Sequence, residues 1–188
     1  MAVVFTKSAS ITGLDASPGV ASTTGEGAQG NLRCANDNIT TVVGDSIGSV
    51  YRIVRIPTDA KIKRVLFNYP GSTAGAGDFD VLFSDSPYEG SAAFQALAGG
   101  VVQTTGPADN KLFGTALTLI GSQKQIDITF SGTFTVAHQN LPLWQVLVNL
   151  GATQFTSDPG GAFDIGVKLT TALTVTAGLL GIEVDYVE

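Results

Sequence analysis

Between Gly48 and Phe83 the sequence runs through three strand patterns in succession, GSVYRIVRIP, KIKRVLFNY and DFDVLF, punctuated by Pro57-Thr58-Asp59 and by the glycine-rich GSTAGAG. β-Branched and aromatic residues dominate each run, and Gly, Pro and Asp divide them, so the chain is committed here to strands joined by turns. Reactive side chains are scarce. The whole sequence holds one histidine, His138, and one cysteine, Cys34. A chain so composed is suited to packing and binding.

A length of 188 residues suits one domain, which at that size buries about 70% of its unfolded surface. A hydrophobic fraction of 44% and a mean hydropathy of +0.26 exclude a disordered chain. The charged fraction is 14%, low against the roughly 25% of average proteins, which suggests a surface partly covered by partners. Twenty-three glycines, with abundant Thr, Ser and Val, favour many short strands over helices.

A net charge of −6 and a pI near 4.6 lack the basic footprint of backbone binding, so nucleic acid is not an expected partner. No apolar run long enough to span a bilayer is present, and no membrane partner is expected. Cys34 has no second cysteine to bridge, and no secretory signal is evident, consistent with a soluble protein of a reducing cytoplasm. The sequon Asn38-Ile39-Thr40 has no role without secretion.

Residues 1–30 carry few large apolar groups among many Gly, Ser, Thr and Ala, and read as an extended arm. Its anchors are Val3, Val4, Phe5, Ile11 and Leu14. The body, residues 31–188, shows period-two rows: Phe163, Ile165, Val167 and Leu169; Ile126, Ile128 and Phe130; Ile182, Val184 and Tyr186; Phe79, Val81 and Phe83. Opposite the first row lie Asp164, Gly166, Lys168 and Thr170, expected on a wet face. In PLWQVLVNLG, Leu143, Val146, Leu147 and Leu150 follow helical spacing between Pro142 and Gly151. A second short helix is predicted over residues 91–100. The two do not alternate regularly with strands. The fold class is therefore mainly β, an antiparallel β-sandwich with one or two short helices.

Candidate chemistry is thin. Gly44-Asp45-Ser46-Ile47-Gly48 has nucleophile-elbow spacing, but that motif needs a helix after the serine, and a strand follows here. His138 would be the only histidine base, so a turn is the expected reading. Zinc lacks clustered Cys and His ligands, and no metal or cofactor is expected. Asp78, Asp80, Asp85 and Glu89 lie close in sequence, with Asp78 and Asp80 expected as a surface pair. GSTAGAG lacks phosphate-loop spacing and reads as a hairpin loop. Trp144 is expected in packing more than as a sugar platform. Arg52, Arg55, Lys61, Lys63 and Arg64 make up half of the 10 basic residues and sit on two successive strands. They form either a docking stripe for a carboxylate-rich partner or a solvated sheet face or edge.

The order of the segments DASPG, GDSIGSVYRIVRIPTDAKI, DFDVLFSDSPYEGSAA, PLW, DPGGAFDIGVKL and AGLLGIEVDYVE resembles the small head decoration, or cement, proteins of tailed bacteriophages. Where that pattern carries a glycine after the valine of the third segment, Leu82 follows Val81 here. The resemblance implies a jelly-roll-like sandwich with an extended N-terminal arm, on the exterior of a virion capsid assembled in the host cytoplasm. It further implies contact with several major capsid protein subunits, self-association as a dimer or trimer, and no catalysis. The residues expected to meet partners are Val3, Phe5, Ile11, Leu14, Arg52, Arg55, Lys61, Lys63 and Arg64. The alternative is a carbohydrate-binding sandwich of lectin or tail-fibre type, expected to expose an aromatic platform beside carboxylates. A small hydrolase using Ser46 and His138 is a third reading.

Overall fold

The computed structural model describes residues 5–7, 11–12, 25–26, 32–69, 75–83, 111–119, 123–174 and 178–188. Their strands, in chain order, are β1 (Phe5–Lys7), β2 (Gly25–Glu26), β3 (Leu32–Thr40), β4 (Val50–Pro57), β5 (Lys61–Tyr69), β6 (Ala76–Phe83), β7 (Gly114–Thr118), β8 (Gln123–Asp127), β9 (Ala162–Thr171) and β10 (Leu179–Val187). A 3-10 turn, Val136–Asn140, and the helix α1, Leu143–Asn149, lie between β8 and β9.

The strands form two five-stranded sheets ordered β1-β4-β9-β6-β7 and β2-β3-β10-β5-β8. Every strand pairing is antiparallel except β1 with β4. Without β1 and β2 the orders are β4-β9-β6-β7 and β3-β10-β5-β8. From β3 onward the chain changes sheet at each connection save β6 to β7, which is the strand order of a jelly roll. The mainly β sandwich expected from the strand patterns is present.

Apolar periodicity builds the core. Phe163, Ile165, Val167 and Leu169 on β9 face Ile62, Val65, Phe67 and Tyr69 on β5 and Ile182, Val184 and Tyr186 on β10, all buried. Phe67 of one sheet meets Phe79 of the other edge-on, with ring centroids 4.7 Å apart.

Helix α1 buries Leu143, Val146 and Leu147. Its first N–H groups lack intrahelical acceptors, and Leu143 and Trp144 donate theirs to the carbonyls of Ala60 and Thr58 at 2.9 and 3.0 Å, tying the helix to the β4–β5 turn. Trp144 packs half-buried against the core. Pro142 is the N-cap, one position earlier than expected, and Gly151 adopts φ 108° just past the C-cap Leu150. The helix predicted over 91–100 lies outside the described residues.

Two expectations are corrected. β5 and β6 belong to opposite sheets, so no hairpin joins them at GSTAGAG, of which Ala76 and Gly77 open β6 and residues 71–74 lie outside the described residues. Asp164, Asp78 and Asp80 are buried and not wet: Asp164 is engaged by Arg52 and Arg55, and the two aspartates of β6 accept backbone N–H groups of Lys111, Leu112 and Ala116, where the chain runs into β7 beside them.

Candidate functional site

The described residues before β3 meet both sheets at one side of the sandwich. Phe5–Lys7 pairs in parallel with Val50, Tyr51 and Arg52, and Gly25 and Glu26 pair with Cys34 and Arg33. These pairings engage edge-strand groups of β4 and β3 that would otherwise be open to any passing strand. Ile11 is buried. Val3 and Leu14 lie outside the described residues. Phe5, expected to meet a partner, is in strand β1, which pairs with the chain's own β4.

The five basic residues separate into two groups, because β4 and β5 lie in different sheets. Arg52 and Arg55 are buried on β4, where both engage Asp164 of β9. Arg55 Nε donates to Oδ1 at 2.6 Å and its Nη2 to Oδ2 at 3.1 Å, while Arg52 Nη1 reaches Oδ2 at 3.1 Å. Burial pushes the Asp164 carboxyl upward, opposed by Arg55 and Arg52. A single basic docking stripe is thus not formed, and Arg52 and Arg55 are interior groups. On β5, Lys63 Nζ donates to the Gln139 carbonyl at 2.7 Å, and exposed Arg64 pairs with Asp185 at 2.7 Å and Glu183 at 3.7 Å. Lys61 is half-buried at the start of the same strand.

Ser46 and His138 do not meet. Ser46 sits in the β3–β4 connection beside Leu169, Leu173 and Gly178, whereas His138 lies in the 3-10 turn whose Gln139 contacts Lys63. From Lys63 to Tyr69, which reaches the Ser46 end through Thr41, β5 spans about 20 Å. His138 Nδ1 accepts the Thr135 N–H at 3.1 Å, a local turn contact. The nucleophile-elbow pattern resolves into a turn in which Gly44 and Gly48 hold φ of 94° and 88°, values that favour glycine.

That turn is firmly held. Gly44 N–H bonds to Leu173 O at 2.9 Å, Leu173 N–H to Asp45 O at 3.2 Å and Gly48 N–H to Leu169 O at 2.8 Å, while buried Asp45 accepts the Tyr51 hydroxyl. The same loop turns Val42, Val43 and Ile47 outward at 59, 48 and 63% exposure. No spacing rule marks it in the sequence, since an apolar residue in a turn reads equally as core.

Of the four acidic residues close in sequence, Asp78 and Asp80 serve the fold, and Asp85 and Glu89 lie outside the described residues. Asp80 accepts the N–H groups of Val81, Lys111 and Leu112, and Asp78 accepts that of Ala116. Cys34, Glu183 and Asp185 bring ligand-type atoms within 4.8 Å of one another on the outer face of the β10 sheet. Arg64 already pairs with both carboxylates, and burial pushes the Cys34 thiol up, away from the thiolate a metal would require.

The fold and these surfaces define a jelly-roll β-sandwich with two short strands, β1 and β2, on its edges and a hydrogen-bonded loop that exposes three aliphatic side chains. No protein-family model matches the sequence, and no curated protein matches it. Among solved structures, the chain is similar to one described as "Cyanophage Pam1 capsid asymmetric unit", with a TM-score of 0.45 and 12% identity over 92% of this chain and 95% of that one. A likeness at that level assigns no role.

Proposed function

We propose that the chain is a non-enzymatic virion protein that binds the outside of an assembled phage capsid and stabilises it by bridging major capsid protein subunits. The observation that carries this reading is the 41–49 loop, which holds three large aliphatic side chains in water on a backbone hydrogen-bonded to Leu169 of β9 and to Leu173 and Gly178 between β9 and β10. Apolar groups so fixed lose little conformational freedom when a partner covers them.

A ligand that binds only the assembled shell stabilises it by mass action, with no chemistry required. A contact of about 1,600 Å² would suffice for each site. Residues 1–30 act as the arm and residues 31–188 as the docking body in this reading. Once the body docks, the arm is held at high effective concentration near the shell. Exchange of Phe5–Lys7 from its own β4 to a neighbour's edge extends the contact, and a dimer or trimer multiplies it. Lys61, Lys63 and Arg64 set register against a carboxylate-rich partner.

Pelleting undecorated capsids in the presence of the purified chain tests the reading. Co-sedimentation at micromolar concentration is expected, and a chain that stays in the supernatant contradicts it. Sedimentation equilibrium of the free chain separates dimer, trimer and monomer.

A further inference from the structure

We propose that the outer face of the β10 sheet carries a binding groove for a neutral oligosaccharide. Two cross-strand rows build it. In the first, Asn38 of β3, Gly181 of β10 and Asn68 of β5 stand side by side; in the second, Asn36, Glu183 and Leu66 do. Gln125 of β8 closes one side, and the depression holds about 310 Å³. That is the lower end of the range of small-molecule sites, roughly 300 Å³ and upward.

Gly181 shapes the floor. A Cβ there would stand 3.7 Å from the Cβ atoms of both Asn38 and Asn68, an ordinary contact, so packing does not demand glycine at this point. Its effect is to leave a trough between two asparagines whose Cα atoms lie two strand spacings, about 10 Å, apart.

The lining selects the ligand. Among the described residues the side-chain amides of Asn38, Asn68 and Gln125 make no hydrogen bond, and each offers an acceptor and two donors to a ligand. Sugar hydroxyls also donate and accept, and an array of carboxamides can serve both sides of each. The lining holds two carboxylates, Glu183 beside Arg64 at 3.7 Å and Asp37, whose Oδ1 accepts the Asn38 N–H, so the trough disfavours a phosphate or a polyanion. Leu66 and Leu179 offer apolar surface to the C–H faces of a ring. No aromatic side chain lines the groove among the described residues, in contrast to the aromatic platform expected of a carbohydrate module. Binding through amides alone is weak and rests on several rings engaging the rows together.

The test titrates the full-length chain, labelled for amide NMR, with neutral hexasaccharides of α-1,4-glucan, β-1,4-glucan, β-1,3-glucan and β-1,4-mannan, with oligogalacturonate as the charged control. At least one neutral glycan is expected to shift the resonances of Asn36, Asn38, Asn68, Gln125 and Gly181 with a dissociation constant of about 1 mM or tighter. Gly181→Val, which fills the trough, and Asn68→Ala, which removes an amide that holds no internal bond, should each weaken that binding by about tenfold. Both should leave the thermal midpoint near that of the parent. The proposal is overturned if no neutral glycan moves these resonances at about 10 mM, if oligogalacturonate binds as well, or if both folded variants bind undiminished. The groove and the 41–49 loop share no residue, so the two groove substitutions and the capsid co-sedimentation read the two proposals by separate measurements.

Discussion

Arg55 grips Asp164 with two nitrogens of its guanidinium, at 2.6 and 3.1 Å, across 109 residues of sequence. The pair sits where β4 and β9 lie in register, and Arg52 adds a second guanidinium to the same carboxylate. Removing the carboxylate leaves two buried cations facing each other. Asp164→Ala is expected to lower the free energy of unfolding by about 3–5 kcal/mol, read from denaturant midpoints at constant m. A loss below about 1 kcal/mol would mean the pair is not closed in solution.

The buried Tyr51 hydroxyl, which donates to Asp45, ties the apolar loop to β4. Tyr51→Phe is expected to cost about 1–3 kcal/mol and to speed hydrogen exchange at Gly44 and Gly48. Burial and the Asp45 carboxylate push the Tyr51 phenol far above its ordinary value. A folded-state pKa raised above the unfolded one means that this contribution is complete below about pH 10 and declines as the pH rises beyond it. The stability difference between parent and Tyr51→Phe should therefore be flat through neutral pH and shrink only in strong base.

Gly166 is required by a close backbone approach. A Cβ there would lie 2.3 Å from the Tyr51 carbonyl oxygen and 3.2 Å from Arg52 Cα, and neither is a movable side-chain tip. Gly166→Ala should destabilise by about 1–3 kcal/mol, and a neutral effect in thermal unfolding would contradict the β4–β9 packing.

Cys34 is half-buried, and burial is the main cause of its raised thiol pKa, with Glu183 and Asp185 adding to it. Iodoacetamide should alkylate it more slowly than free cysteine at pH 8, since the thiolate is the reactive form. Asp185→Asn should restore part of the rate.

Much of the architecture is legible in single strands. Alternation in FDIGVKL marks Phe163, Ile165 and Val167 as one face, and the helical spacing of Leu143, Val146 and Leu147 marks α1. What alternation does not encode is whether the second face is covered. Asp164 looks like a solvent residue in the sequence, yet it is buried with two arginines that sit 112 and 109 positions away. The apparent basic stripe dissolves for a related reason: β4 and β5 are consecutive in sequence but pass to opposite sheets, which no local pattern states. The apolar loop and the amide groove are likewise products of strand order, since Asn38, Gly181 and Asn68 become neighbours only through β10.

The central claim is that this chain acts by clinging to an assembled shell. Its most direct measurement is the amount of chain that pellets with undecorated capsids, for the parent, for a Val42→Ser, Val43→Ser, Ile47→Ser triple variant, and for a chain lacking residues 1–30. The account predicts saturable binding by the parent, weakening of about tenfold or more by the triple variant, and a smaller loss on removing the arm. A parent chain that fails to pellet, or variants that pellet as well as the parent, would contradict it.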